Sequence, residues 1–386
     1  MDYRRFWIML MLVVLLTLSL VAACVQDDDD DNDAASDDDD NDDDNDDDNN
    51  DDDNNDDDAD DGLNHPYTPC CNLTPGDLPI GDPGIPAAQE GPYSFVEVRR
   101  TFIDAARDRD IDAEILFPSR DGENIAADDA PFPIVLVVHG FSGTKLLVRE
   151  YTERLATWGF VAVAPNLPYS GALALAKINH RESALDLLFI ANTLCCETQD
   201  DQSQLFGLLD RARVAAVGHS LGGKLSTLAA IYDNGIDAVA GIDPVDGAGP
   251  IPNPDPERFP RVNPDLAPDL IVPTLYLGGS ESGREVFGQA CAPVEDNYQQ
   301  FFGNSPPPSV ETTFRGADHT DFVPQLPLDP CNVGTADHTV VKALAKKYIV
   351  AFLNHRLRGW DRFKSDYAGD GMQAEVDAEL ITWQEK

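Results

Sequence analysis

The stretch "RVAAVGHSLGGKL" sets Ser220 between Gly218 and Gly222, after a short apolar run and before residues that read as a helix. A serine hydroxyl is a weak nucleophile. It attacks a carbonyl when a base takes its proton and an acid orients that base. In a G-x-S-x-G turn the two glycines let strand and helix close tightly, which lifts the hydroxyl clear of the sheet and turns the helix N-terminus toward an oxyanion. The Leu221 backbone N–H then serves as one oxyanion donor. The other comes from the loop after the "VVHG" strand, where position selects the N–H of Phe141, with His139 and Gly140 shaping the loop.

In this type of turn the acid follows the serine and the histidine follows the acid. Only His319, His338 and His355 come after Ser220. His319, in "RGADHTDF", sits where a loop can bring an imidazole back over the sheet, so it is the expected base. His338 precedes a terminal helix and His355 lies inside it; they read as a surface and a packing residue. Asp243 ends the strand after the nucleophile's helix, in "GIDPVDG", and a strand end fixes a carboxylate better than a loop. Asp246 and Glu281 remain alternatives for the acid. His139 reads as a loop support, His219 as packing, and Tyr169 in "NLPYSG" as a pocket-lining or packing aromatic.

Positioning such a set requires a sheet, and the chain supplies the pattern for one. From residue 94 strand and helix signals alternate, as in a mostly parallel twisted sheet with helices on both faces. "SFVEVRRTF" and "IDAEILFP" read as two opening antiparallel strands, and "FPIVLVV" as a strand buried on both faces. A helix closed by Gly159 follows, then the strand "FVAVAPNL", a long helix over 173–196, the strand 213–218 and the helix "GGKLSTLAAIY". Strands at 236–243, 273–279 and 309–319 complete the sheet, the last being the final strand, before a helix at 338–356. The segment between Asp243 and Pro273 is too proline-rich for a helical cap, so an open active face is expected.

The flanking segments differ sharply in composition. Residues 1–24 join Arg4 and Arg5 to an apolar run ending "LVAAC", a lipoprotein-type signal with Cys24 as the lipidated residue. An uncleaved membrane anchor and a twin-arginine export signal are the other readings. Residues 25–61 form an Asp/Asn tether, with 24 aspartates among the 35 positions from 27 on. Such a tract has nothing apolar to bury and repels itself, so a solvated spacer is expected rather than an ordered calcium loop. A Pro/Gly-rich segment spans 62–93, the catalytic domain 94–356 and a polar tail 357–386. Of the net charge of −43, −20 remains once the first 61 residues are removed. Clustered cations for nucleic acid are therefore not expected. Six cysteines besides Cys24 suggest disulfides, with Cys291–Cys331 preferred and the doublets 70–71 and 195–196 able to cross-link. No spacing points to a metal site.

The motifs "VVHGF", "VAPNL", "GHSLGGK", "GIDPVDG", "CAP…NYQQFF" and "GADHTDF" resemble those of the α/β-hydrolase superfamily, and within it the chlorophyllase family. They are also similar to those of cutinase-like polyester hydrolases and platelet-activating-factor acetylhydrolases. The resemblance covers residues 94–356. It implies a Ser220–Asp243–His319 triad, no cofactor, and hydrolysis of carboxylic esters. The resulting expectation is an exported, lipid-anchored, monomeric serine esterase at the outer membrane or cell surface, acting on a lipid, a polymer or another bulky ester. The alternatives are an amidase, peptidase or thioesterase with the same triad, and a non-catalytic surface-binding lipoprotein on a hydrolase scaffold.

Overall fold

The computed structural model describes residues 70–386 apart from 72–74, 77, 250, 252, 287 and 326–328. Cys24, the signal-type segment 1–24 and the tether 25–61 lie outside the described residues.

The chain opens with the antiparallel strands β1 (Ser94–Asp104) and β2 (Arg109–Ser119). Next come β3 (Phe132–Val138), α1 (Arg149–Thr157), β4 (Val161–Asn166), α2 (His180–Glu197), β5 (Leu209–His219) and α3 (Leu221–Tyr232). The second half holds β6 (Ala238–Ile242), β7 (Thr274–Gly279), the small ribbon β8 (Glu285–Val286) and β9 (Gln289–Ala290), α4 (Tyr298–Asn304) and β10 (Ser309–Phe314). The last elements are α5 (His338–Arg358), α6 (Lys364–Tyr367), α7 (Gln373–Asp377) and β11 (Ile381–Glu385). Nine strands form one sheet in the order β1-β2-β4-β3-β5-β6-β7-β10-β11. Its centre, from β4 to β10, is parallel.

Burial explains the central strands. All seven residues of β3 are buried, as a strand covered by helices on both faces requires. Val135 and Val137 face the cluster built by Tyr151 and Leu155 of α1 with Tyr348 and Phe352 of α5, while α2 and α3 pack together on the other face. A parallel sheet of this kind gathers the loops after its strands at one end, and those loops carry Phe141, Ser220, Asp243 and His319.

Three expectations change. The strand at 309–319 is not the last, because β11 pairs antiparallel with β10, from Val310–Glu385 to Phe314–Ile381. The expected polar tail, 357–386, is part of the fold: Phe363, Tyr367, Met372 and Ile381 are fully buried. Those apolar residues are spaced irregularly, so neither helical nor strand periodicity announces them. The long helix begins at His180 rather than near 173, because Asn179 is extended (φ −149°) and its side chain caps the helix by accepting the Glu182 N–H at 3.0 Å.

The cysteines pair as Cys70–Cys196, Cys71–Cys195 and Cys291–Cys331, with Cα separations of 5.1, 5.4 and 5.8 Å. The two doublets bind the segment before the sheet to the end of α2. The third bridge joins the loop after β9 to the loop after β10.

Candidate active site

Ser220 stands between β5 and α3 with φ 57°, a left-handed conformation that a non-glycine residue adopts only when the surroundings enforce it. Its N–H donates to the Ile242 carbonyl at 2.9 Å. The flanking glycines are sterically obligatory. A Cβ on Gly218 would lie 2.2 Å from the Gly222 carbonyl, and one on Gly222 would lie 2.2 Å from the Val138 carbonyl oxygen.

The structure brings three of the expected side chains into one line. His319 Nε2 is 2.9 Å from Ser220 Oγ, and its Nδ1 is 2.6 Å from Asp243 Oδ2. An ionised carboxylate only accepts, so Nδ1 carries the proton and Nε2 is free to accept from the serine hydroxyl. Asp243 is fully buried, with φ 44°, and its other oxygen accepts the Gly279 N–H at 3.2 Å. Ser220 and His319 keep 9% and 7% exposure, so neither is sealed from solvent.

The rival acids are engaged elsewhere. Asp246 accepts N–H bonds from Val262 at 3.0 Å and Asn263 at 2.8 Å, and pairs with Lys224 Nζ at 3.2 Å. Lys224 itself is 1% exposed and also donates to the Asp246 backbone carbonyl at 2.7 Å. Burial pushes its pKa down while Asp246 opposes that shift. Among the described residues, the Glu281 side chain accepts only a long bond from the Ser280 hydroxyl, at 3.3 Å. His338 opens α5 from the surface side, and His355 Nδ1 bonds the Tyr367 hydroxyl at 2.7 Å.

The loop expected to supply the second oxyanion donor follows β3. His139 bonds the Gly140 carbonyl through Nδ1 at 2.8 Å and accepts the Leu167 N–H through Nε2 at 3.2 Å, which ties the loop to the end of β4. Burial lowers its pKa, so it stays a neutral brace. Among the described residues no acceptor takes the Phe141 N–H. The Leu221 N–H is the first of its helix and has no intrahelical acceptor either. Tyr169 is 40% exposed, with Lys177 Nζ 4.7 Å from its ring centroid.

The sequence reading did not anticipate Asp318. It is fully buried and accepts from the N–H groups of Thr320 (2.9 Å), Asp321 (3.2 Å), Val333 (2.6 Å) and Gly334 (2.7 Å), and from the Thr320 hydroxyl (3.0 Å). It therefore folds the loop that delivers its neighbour His319. The D-H-T-D pattern held a weak local hint, but Val333 and Gly334 are joined to it only by the tertiary fold.

A serine on a strand–helix turn at the rim of a mostly parallel sheet, with a histidine and a buried carboxylate in line, defines an α/β-hydrolase. The chlorophyllase family model matches residues 124–364, and the chain belongs to that family. A chloroplastic chlorophyllase-1 of Citrus unshiu is 26% identical over 239 residues, covering 59% of this chain and 69% of its own length. Chlorophyllase-2 of Arabidopsis thaliana is 24% identical over 51% of this chain and 62% of its own length. A protein of Methylorubrum extorquens, provisionally named a carboxymethylenebutenolidase, is 26% identical over 46% of this chain and 62% of its own length. The chain is an ester hydrolase of the α/β class.

Proposed function

We propose that the protein is an exported, lipid-anchored serine esterase in which Ser220, His319 and Asp243 are the catalytic triad. The observation that carries this reading is the imidazole of His319 set between the serine hydroxyl at 2.9 Å and the aspartate at 2.6 Å. His319 Nε2 takes the hydroxyl proton as Ser220 Oγ bonds to the ester carbonyl carbon. Asp243 steadies the imidazolium, and the N–H groups of Phe141 and Leu221 hold the oxyanion. Collapse breaks the bond to the alcohol oxygen, which leaves with the proton from Nε2. Water, deprotonated by the same nitrogen, then releases the acid and restores Ser220.

Among the described residues, the proline-rich chain between β6 and β7 contributes only the short turns Val262–Leu266 and Ala267–Asp269, which supports an open face and a bulky ester. The membrane anchor at Cys24 and the aspartate spacer behind it rest on sequence pattern alone. The test uses a nitrophenyl ester series of graded acyl length, with chlorophyll added because the plant relatives carry that name. Turnover and fluorophosphonate labelling that both vanish in Ser220→Ala are expected. A wild-type protein that neither turns over an ester nor labels would favour a binding role and overturn the proposal. Radiolabelled palmitate incorporation lost in Cys24→Ala tests the anchor.

A further inference from the structure

We infer that His219, the residue between Gly218 and Ser220, is a positioning residue that holds the catalytic histidine by its backbone. The inference rests on the triad reading above. His219 ends β5 and is buried, and its Nε2 lies 2.9 Å from the carbonyl oxygen of His319. A carbonyl only accepts, so Nε2 carries the ring proton and Nδ1 is bare. Among the described residues Nδ1 has no hydrogen-bond partner. It faces the oxyanion loop, since a Cβ on Gly140 would lie 3.3 Å from it. The two imidazoles lie with their centroids 4.8 Å apart at 33°.

One side chain thus touches three moving parts of the site. It is covalently next to the nucleophile, it donates to the main chain of the base, and it borders the loop that bears the Phe141 N–H. Asp318 ties the loop holding His319 to Val333 and Gly334, and His219 ties the same loop's main chain to the residue beside the serine. A histidine serves here only while neutral. Protonated, it would set a cation beside the imidazolium that forms on His319 during turnover, and burial prevents this by pushing its pKa down to about 3. A plain packing residue needs no donor at this point, and a proton carrier would need a partner at Nδ1.

Two substitutions separate these roles. His219→Phe keeps the ring and removes the donor, whereas His219→Gln keeps an N–H at similar reach. Losing one buried hydrogen bond that aligns the base should lower kcat by about ten- to a hundredfold with KM little changed in H219F. H219Q should recover most of that loss, and neither variant should move the midpoint of the kcat/KM pH profile. H219F turning over as fast as wild type at an unchanged thermal midpoint would overturn the inference. So would H219Q impaired as deeply as H219F, or a shifted pH midpoint. Nitrogen-15 imidazole spectra of the wild type need no variant to fold. They should show a neutral Nε2–H ring on His219 that does not titrate from about pH 5 to 9; an Nδ1–H tautomer or a titration in that range overturns it. A wild type inert toward fluorophosphonate would instead sink the underlying triad, which keeps the two failures distinct.

Discussion

Asp243 and Asp246 are three residues apart and both fully buried, yet one faces His319 and the other Lys224, and the proposed triad gives them opposite duties. Asn at position 243 would keep the shape of the side chain. Its amide oxygen would stay with the Gly279 N–H, leaving the NH2 group toward His319 Nδ1. The imidazole must then carry its proton on Nε2, where it faces Ser220 Oγ as a second donor and cannot take the hydroxyl proton. Loss of the correct tautomer costs roughly ten-thousandfold in kcat, or about 5 kcal/mol in the barrier. Folding should suffer little. Asp246→Asn removes the counter-charge of Lys224 in a site where both side chains are almost wholly enclosed. An amide also cannot accept all three of the donors that the carboxylate now satisfies, from Val262, Asn263 and Lys224. Breaking one member of a buried pair costs about 3–5 kcal/mol, which for a domain of this size lowers the thermal midpoint by roughly 5–7 °C. The folded fraction should still turn over substrate within about threefold of wild type. Denaturant unfolding and ester kinetics, normalised by fluorophosphonate titration of active sites, read the two effects separately. D246N that folds normally but is as inactive as D243N would refute the division of labour. So would D243N within tenfold of wild-type kcat.

Asp318→Ala strips the acceptor from four N–H groups around the His319 loop. It should lose about 3–5 kcal/mol of stability and, unlike D246N, at least about tenfold in kcat; normal activity at normal stability would contradict the loop's role. The Cys291–Cys331 bridge closes a separation of 40 residues, and replacing both cysteines by serine should cost about 4 kcal/mol by chain entropy. Because Val333 and Gly334 follow that bridge directly, kcat should fall too; thermal shift and ester turnover of the double variant check both. Burial pushes the Asp237 carboxyl up to about 6, above its ordinary value of 3.8. The folded protein therefore binds the proton more tightly than the unfolded chain, and this stabilisation, full at low pH, is lost as pH rises through about 6. Asp237→Asn should be more stable than wild type by roughly 2 kcal/mol at pH 8, discounted for partial exposure, and nearly equal to it at pH 4. Equal differences at both pH values would contradict the shift.

The central sheet was readable because its signals are local. "FPIVLVV" declares a strand buried on both faces within seven residues, and the glycines of "GHSLGG" are dictated by contacts inside one turn. The C-terminal elements were not, because Phe363, Tyr367 and Met372 reach the core from single turns of helix whose apolar spacing has no period. β11 is only five residues long and is defined by a partner some seventy positions earlier. Asp318 and the Lys224–Asp246 pair belong to the same class: their meaning lies in backbone groups 15 and 22 residues away. For that reason the different partners of Asp243, Asp246 and Glu281 are visible only in tertiary contacts.

The site also inverts the usual sequence rules. Ser220 and Asp243 both sit at positive φ, at 57° and 44°, where glycine would be the relaxed choice. A non-glycine residue held in a sparsely populated backbone region costs on the order of 1–3 kcal/mol, and here two such residues face one histidine. A glycine at either position would relieve the backbone and delete the hydroxyl or the carboxylate. The strain persists because β5, β6 and β7 are hydrogen-bonded around it: the Ser220 N–H is held by Ile242 and the Asp243 N–H by Leu277 at 2.6 Å. Local preference and global structure disagree at these two positions, and they are the two that the proposed triad draws on.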